Sequence, residues 1–363
     1  MKKLLLALTI FILSVSFYPV KALEKAADIL KKNVVTTGDG LYVDNTVDGR
    51  YVYKGANPNN YIKLGNDLYR IISVEKDGTI KVIRRKSIGG IAWDDDSNKR
   101  ISFNSADFCS AQSNCKSWGS NTTTLDSNGN NVTQMPREVN GTLKNLPEKD
   151  ASLNTYLNND FYNDLSSDIK SLILERTWNV GPIAKNQTNL SESIKEESAY
   201  KWKGKIALMN ASDYIKASTN SECTSVSTYS SNSSCHWNSF EHNYLYDYKS
   251  WTVSPLSGSV YSVFYIGGTG ETNAGNRHIV RPVFYLSSDI KLNGEGSEAN
   301  PYTISKYVEE TKDEKNKDEV KVDNGQIVEV PSTSAQMSII IASIGIIFIS
   351  LAVIITKRMT KKS

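Results

Sequence analysis

Histidine is the scarcest chemical resource in this chain: three in 363 residues, His236, His242 and His278. None stands in an HExxH pair or beside a second cluster at ligand spacing, which excludes a helical zinc-hydrolase motif. Cysteine is nearly as sparse, with Cys109, Cys115, Cys223 and Cys235. Their intervals, five and eleven intervening residues, fit no usual zinc pattern. Cys235 and His236 are adjacent, but four cysteines that pair off leave no thiol for a nucleophile. The glycine-rich run GGTGETNAGN, 267–276, lacks the Lys-Ser or Lys-Thr that closes a phosphate loop. Ser198 and Lys201 have the interval used by penicillin-binding enzymes, without the SDN or KTG companion. No basic stripe with interleaved aromatics occurs, so nucleic acid is not an expected partner.

What is present begins at the ends. Residues 337–356, MSIIIASIGIIFISLAVIIT, carry no charge, and twenty residues make a helix roughly 30 Å long, the thickness of a bilayer core. Lys357, Arg358, Lys361 and Lys362 follow, the composition of a cytoplasmic flank in 357–363. At the other end Lys2 and Lys3 precede an apolar run, and Val20-Lys21-Ala22 forms a small-x-small site, so 1–22 reads as a secretory signal peptide. Between them an extracellular domain is expected over 23–304, with a division into a meander (23–88) and a second part (89–304). A charged stalk spans 305–336, where seven acidic and five basic residues crowd 305–326 with few apolar ones. Before the membrane run stands VPSTSA, 330–335. The order Pro331, any residue, Thr333, apolar helix and basic tail resembles the sorting signal of Gram-positive surface proteins. Val330 and Ser334 replace that signal's leucine and glycine. The resemblance implies a sortase, a cell-wall precursor and cleavage after Thr333, with plain membrane anchoring as the alternative.

The net charge of +3 conceals an asymmetry. Three lysines lie in the signal segment and four basic residues follow the apolar run, leaving 35 basic against 39 acidic side chains, near −4. In an oxidising compartment the cysteines favour disulfides. Four allow three pairings, of which the close pairs Cys109–Cys115 and Cys223–Cys235 are preferred, as loop staples. All six tryptophans and eighteen of nineteen tyrosines fall in the exported part, a strand-rich composition.

Periodicity predicts a short helix in 23–33, then an antiparallel meander through 41–43, 51–53, 61–64, 68–74 and 79–83. Asp77-Gly78 marks a hairpin. Residues 89–132 read as a long loop holding Trp93, Asp94, Asp95, Asp96, Cys109, Cys115 and Trp118. Helical spacing returns over 152–174 in two segments, with Ser166 placed to cap the second. An extended 176–180 and a charged helix or loop at 192–200 come next. Strands are then predicted at 204–210, 250–254, 260–266 and 279–286, and a loop over most of 291–303. The expected class is α+β: mixed antiparallel sheets, short helices and long loops.

Five blocks carry a family likeness: YKGANPNNYIKLGNDLYRIISVEKDG, LNTYLNNDFYNDL, WKGKIALMNASDY, SWTVSP and VRPVFYLSSDIKLNGEGSEANPYTI. In this order they resemble an uncharacterised module, a domain of unknown function, of surface and secreted proteins of Firmicutes and their wall-less relatives. From Trp251-Thr252 through Arg281-Pro282-Val283 the chain is also similar to the C-type-lectin-like core shared with formylglycine-generating enzymes. The first likeness implies location, the second a loop-rich mixed fold in the C-terminal half. Those enzymes use cysteines in that core, and this chain has none beyond Cys235.

Binding is the expected role. Trp93, Trp118 and Trp237 stand in polar loops, two of them near cysteine pairs, and are the candidates to stack on a host or envelope glycan or protein. Trp178, Trp202 and Trp251 accompany predicted strands and read as core. Asp94, Asp95 and Asp96 offer hard oxygen ligands, so calcium is the candidate ion, with a solvated acidic turn as the alternative. A cell-surface adhesin or binding protein is the leading reading. An envelope glycan hydrolase with a carboxylate pair, or a structural coat protein, is the alternative.

Overall fold

The computed structural model describes residues 24–95, 115–136 and 142–306, all within the first of the two units into which the chain divides, Met1–Val308. The signal segment, nearly all of the stalk, Pro331 and Thr333, the apolar run 337–356, the basic tail, Asp96 and Cys109 lie outside the described residues. Among the described residues no helix is long and apolar enough to cross a membrane.

The class is α+β. After helix α1 (Ala26–Lys31) come strands β1 (Gly40–Val43), β2 (Tyr51–Lys54), β3 (Tyr61–Leu64), β4 (Asp67–Val74) and β5 (Ile80–Arg84). All five strands stand where the β-branched and aromatic runs predict and pair antiparallel, but the order is not a plain meander: β2 passes over β3 and pairs with β4, whose first half pairs with β3. The β4–β5 hairpin turns where expected. Asp77 Oδ1 accepts from Thr79 N at 3.1 Å and Thr79 Oγ1 at 2.7 Å, and Gly78 takes φ +82°, which a side chain would resist. The polar loop that follows contributes β6 (Gly90–Ala92), β7 (Thr124–Asp126), β8 (Gln134–Pro136) and β9 (Leu143–Asn145).

The predicted helical stretch starts as α2 (Ser152–Tyr156), passes through a π-helical turn (Leu157–Phe161) and continues as α3 (Tyr162–Asp164). Ser166 caps α4 (Ser167–Lys170), its Oγ accepting from Ile169 N at 3.4 Å. The helix stops there, earlier than its apolar spacing predicts, because β10 (Ile173–Leu174) joins a sheet instead. Next are β11 (Arg176–Asn179), α5 (Leu190–Ser198), β12 (Tyr200–Gly204), β13 (Ile206–Ala207) and α6 (Ala211–Lys216). The serine-rich segment holds α7 (Val226–Ser231) and α8 (Ser233–His236), each opened by a side-chain cap, where the sequence reads as loop. The last strands are β14 (Ser250–Pro255), β15 (Ser262–Ile266), β16 (Glu271–Asn273), β17 (Arg277–Ile279), β18 (Val283–Leu286), β19 (Ile290–Asn293) and β20 (Thr303–Lys306). The last two pair with each other, so 291–303 is a hairpin rather than a plain loop.

The principal sheet runs β1-β2-β4-β5-β18-β10, with β3 on β4 and β13 on β18. Strands β4 and β5 are buried on both faces, which explains their unbroken apolar runs. A second sheet runs β16-β15-β14-β17-β6. The single strand predicted over 279–286 is therefore two, in different sheets, broken at Arg281-Pro282. Pro282 has no N–H for a ladder. Buried Arg281 fixes the crossing by donating from Nε to Arg84 O at 2.9 Å and from Nη1 to Leu245 O at 3.1 Å. Since β18 lies against β5, residues on both sides of position 88 share one sheet and one core.

A chain of charges is buried beside that sheet. Lys81 pairs with Asp213 at 2.5 Å, Asp213 with Arg50 at 3.3 Å, Arg50 with Asp44 at 3.0 Å, and Asp44 with Lys216 at 2.9 Å. Burial alone would raise the Asp213 pKa; Lys81 and Arg50 overcome it and hold the carboxyl down at about 2. Burial likewise opposes charge on Lys81, yet Asp213 raises its pKa. Lys216 goes the other way. Desolvation and the neighbouring Arg50 lower its pKa in spite of Asp44.

Candidate functional site

The structure separates the three candidate tryptophans and corrects two of them. Trp93 and Trp118 are fully buried. Their rings meet edge to face at 5.3 Å, and Trp118 meets Trp202 at 6.2 Å. Trp93 Nε1 donates to Thr252 O at 3.1 Å. Polar neighbours in sequence had placed both on the surface; they instead pin the long segment into the core, and neither face is open to a ligand. Trp178, Trp202 and Trp251 are core, as their strands predict. Trp237 alone is exposed, at 47%.

Trp237 follows α8 directly, and the local sequence explains its position. Ser225 opens α7, with Thr228 N donating to its Oγ at 3.1 Å. Asn232 opens α8 by accepting from Ser234 N at 3.0 Å. The Cys223–Cys235 disulfide, Cα–Cα 5.4 Å, ties the two-helix segment to the chain before it. Buried His236 then holds Tyr229 O through Nδ1 at 2.7 Å. The next side chain, the Trp237 indole, is turned outward.

It does not stand alone. Tyr248 lies 5.3 Å from it, ring centre to ring centre, and the Tyr246 hydroxyl donates to Trp237 O at 3.3 Å. Phe240, 56% exposed, meets Tyr246 at 6.2 Å. Lys249, whose φ of +67° is unusual for a side-chain-bearing residue, bends the chain after Tyr248 and sets its ammonium 5.4 Å from that ring. Gly267 permits the next approach. A Cβ there would lie 2.8 Å from the Tyr265 ring and 3.2 Å from that of Tyr248. Tyr265 stacks on His278 at 4.8 Å, and His278 meets Trp251 at 4.6 Å. Desolvation first, then Lys249, lowers the His278 pKa to about 4, so this imidazole is neutral at physiological pH. The aromatic surface is thus continuous with rings anchored in the second sheet.

Phe240, Tyr246 and Tyr248 were not singled out from the sequence. The signal was available in NSFEHNYLYDYKSW, where Phe240, Tyr244, Tyr246, Tyr248 and Trp251 crowd one short stretch and the three tyrosines alternate with other residues.

The acidic triplet is not a solvated turn at its first member. Asp94 is fully buried, with Oδ2 accepting from Cys115 N at 2.8 Å and Oδ1 from Ser152 N at 3.1 Å. It serves α2 as a cap supplied from a distant segment. Asp95 is half-buried and its backbone N–H donates to Ser152 Oγ at 3.0 Å. Among the described residues no cluster of three His, Cys, Asp or Glu side chains could hold a metal ion. Cys115 is disulfide-bonded. Two carboxylates, Asp67 and Glu298, line a cavity of about 350 Å³. Each is engaged by an arginine, at 2.6 Å (Arg84) and 3.1 Å (Arg85), and no tryptophan lines that cavity.

Residues 137–288 match the family described as a domain of unknown function (DUF6273). The match includes the disulfide, Trp237 and its aromatic neighbours. No curated protein matches the chain, and no solved structure does.

Proposed function

We propose that this chain is a surface-held recognition protein that binds glycans on the platform formed by Trp237, Phe240, Tyr246 and Tyr248. One observation carries the reading: five of six tryptophans are buried, while the sixth stands exposed among three further accessible aromatics, locked by a disulfide. A sugar's C–H face stacks on an indole, and a platform already rigid loses little freedom on binding. Asn238, Glu241 and Asp247 border it in sequence and provide amide and carboxylate groups for hydroxyls.

Location completes the proposal. The leader 1–22, the stalk and the apolar run 337–356 deliver 23–304 to the cell exterior, where the Cys223–Cys235 bond is stable. Pro331 and Thr333 then offer a sortase the point of transfer to a wall precursor.

The test is a glycan array probed with the full chain in detergent micelles, alongside Trp237→Ala. Retention by a defined set of glycans, lost in the variant, supports the proposal. An array blank for the parent chain defeats it.

A further inference from the structure

A second site, lined by none of the platform's four aromatic residues, lies where the buried charge chain reaches a cavity wall. The cavity has a volume of about 530 Å³, within the range of small-molecule sites. Asp44 and Lys216 both line it, though each residue is more than nine-tenths buried.

The hydrogen-bond inventory is one-sided. Asp44 Oδ1 accepts from Thr46 N at 3.0 Å and Thr46 Oγ1 at 2.5 Å. Its Oδ2 accepts from Lys216 and faces Arg50 Nε at 3.0 Å. Both oxygens are committed. The Lys216 ammonium has three N–H groups and uses one, toward Asp44 at 2.9 Å. Spare capacity at this wall is therefore donor capacity. Lys54 adds a second ammonium, held over the Tyr42 ring at 5.0 Å. Around these cations alcohols and amides, among them Thr37, Ser218, Thr219 and Asn220, share the lining with Val43, Val52, Leu190 and Ile215. The alcohols and amides both donate and accept, as a polyhydroxylated ligand requires.

A buried ion pair stabilises a fold little better than apolar side chains of the same volume. A charge chain that ends at a cavity, with its acceptors filled and its donors spare, is arranged to meet an anion. We propose that this cavity binds a sugar acid, its carboxylate on Lys216 and Lys54 and its hydroxyls on the threonine, serine and asparagine lining. The inference does not rest on the aromatic platform.

The experiment is titration calorimetry of the full chain in detergent micelles with glucuronate, glucose and inorganic phosphate, each at low and high salt. Glucuronate is expected to bind, to weaken as salt screens the ammonium groups, and to exceed glucose by at least about tenfold, as loss of a charge-assisted contact implies. Lys216→Met should lose at least about tenfold in glucuronate affinity. Lys54→Met, at a half-buried position less critical to folding, should lose several-fold. Competition by a polyuronate would assign the ligand to a polymer; its failure beside glucuronate binding would assign a free sugar acid. The proposal is overturned if glucuronate gives no heat, if glucose matches it, if phosphate binds more tightly, or if folded Lys216→Met binds as the parent does.

Discussion

Asp213→Asn is the most informative perturbation of the core. Asp213 is 3% exposed and serves three partners: Lys81, Arg50, and Asn210 N at 3.0 Å as part of the capping box of α6. Its carboxyl falls from 3.8 to about 2, and at about 1.4 kcal/mol per unit this corresponds to roughly 2–3 kcal/mol of stability from its ionisation. The folded-state pKa is depressed, so that stability is fully present above the unfolded value near 3.8 and is lost as pH falls through about 2. The amide leaves Lys81 buried beside a neutral group, and breaking a buried pair from one side costs about 3–5 kcal/mol. Arg50 retains Asp44. Equilibrium urea unfolding followed by tryptophan fluorescence measures the loss, and Trp178, 5.4 Å from the Lys81 ammonium, reports on the site directly. At pH 7 the variant should lose about 3–5 kcal/mol, and the parent's decline between pH 4 and 2 should flatten. Lys81→Met combined with Asp213→Asn should cost less than the sum of the single changes, because neither then leaves a lone charge. A loss below about 1 kcal/mol, or additive costs, would refute the reasoning.

Three further outcomes are expected. Burial raises the Glu197 pKa against hydrogen bonds from Ser212 and Ser254, so its contribution is present below the unfolded pKa and lost as pH rises through the folded one; Glu197→Gln should match or exceed the parent's stability at pH 7, with the gap closing toward pH 4 in the same unfolding assay. Trp93→Ala should cost about 3–5 kcal/mol and Trp237→Ala less than about 0.5 kcal/mol, a contrast that urea midpoints resolve and that equal losses would contradict. Replacing Cys223 and Cys235 together by serine should cost about 2–4 kcal/mol and raise proteolytic cleavage between them, read by limited digestion and mass analysis.

The N-terminal strands were legible because their signals are local, whereas the pairing of β2 with β4 rather than β3 was not. Asp77-Gly78, the runs of β4 and β5, and Ser166 before α4 each act within a few residues. The buried tryptophans were not. Trp93 and Trp118 sit in polar sequence, and what buries them is a partner far along the chain, Thr252 O for one and the Trp202 ring for the other. The charge chain was equally hidden. Asp44 meets Lys216 across 172 positions and Lys81 meets Asp213 across 132. Only the lysine's place among apolar neighbours in YIKA hinted that it points inward. Of the platform, Trp237 was found from its loop context, while the rings that make it a surface came from tertiary packing.

The placement of β18 bears on how the protein is made. Its partners β5, β10 and β13 are all synthesised earlier, and it stands between β5 on one side and the latter two on the other. As the chain emerges N-terminus first, β5 presents an unsatisfied backbone edge for some two hundred residues of elongation. Assembly must await the late strand, and contacts of such separation nucleate slowly. Truncation before Val283 would therefore leave an open, adhesive half-sheet rather than a smaller folded protein.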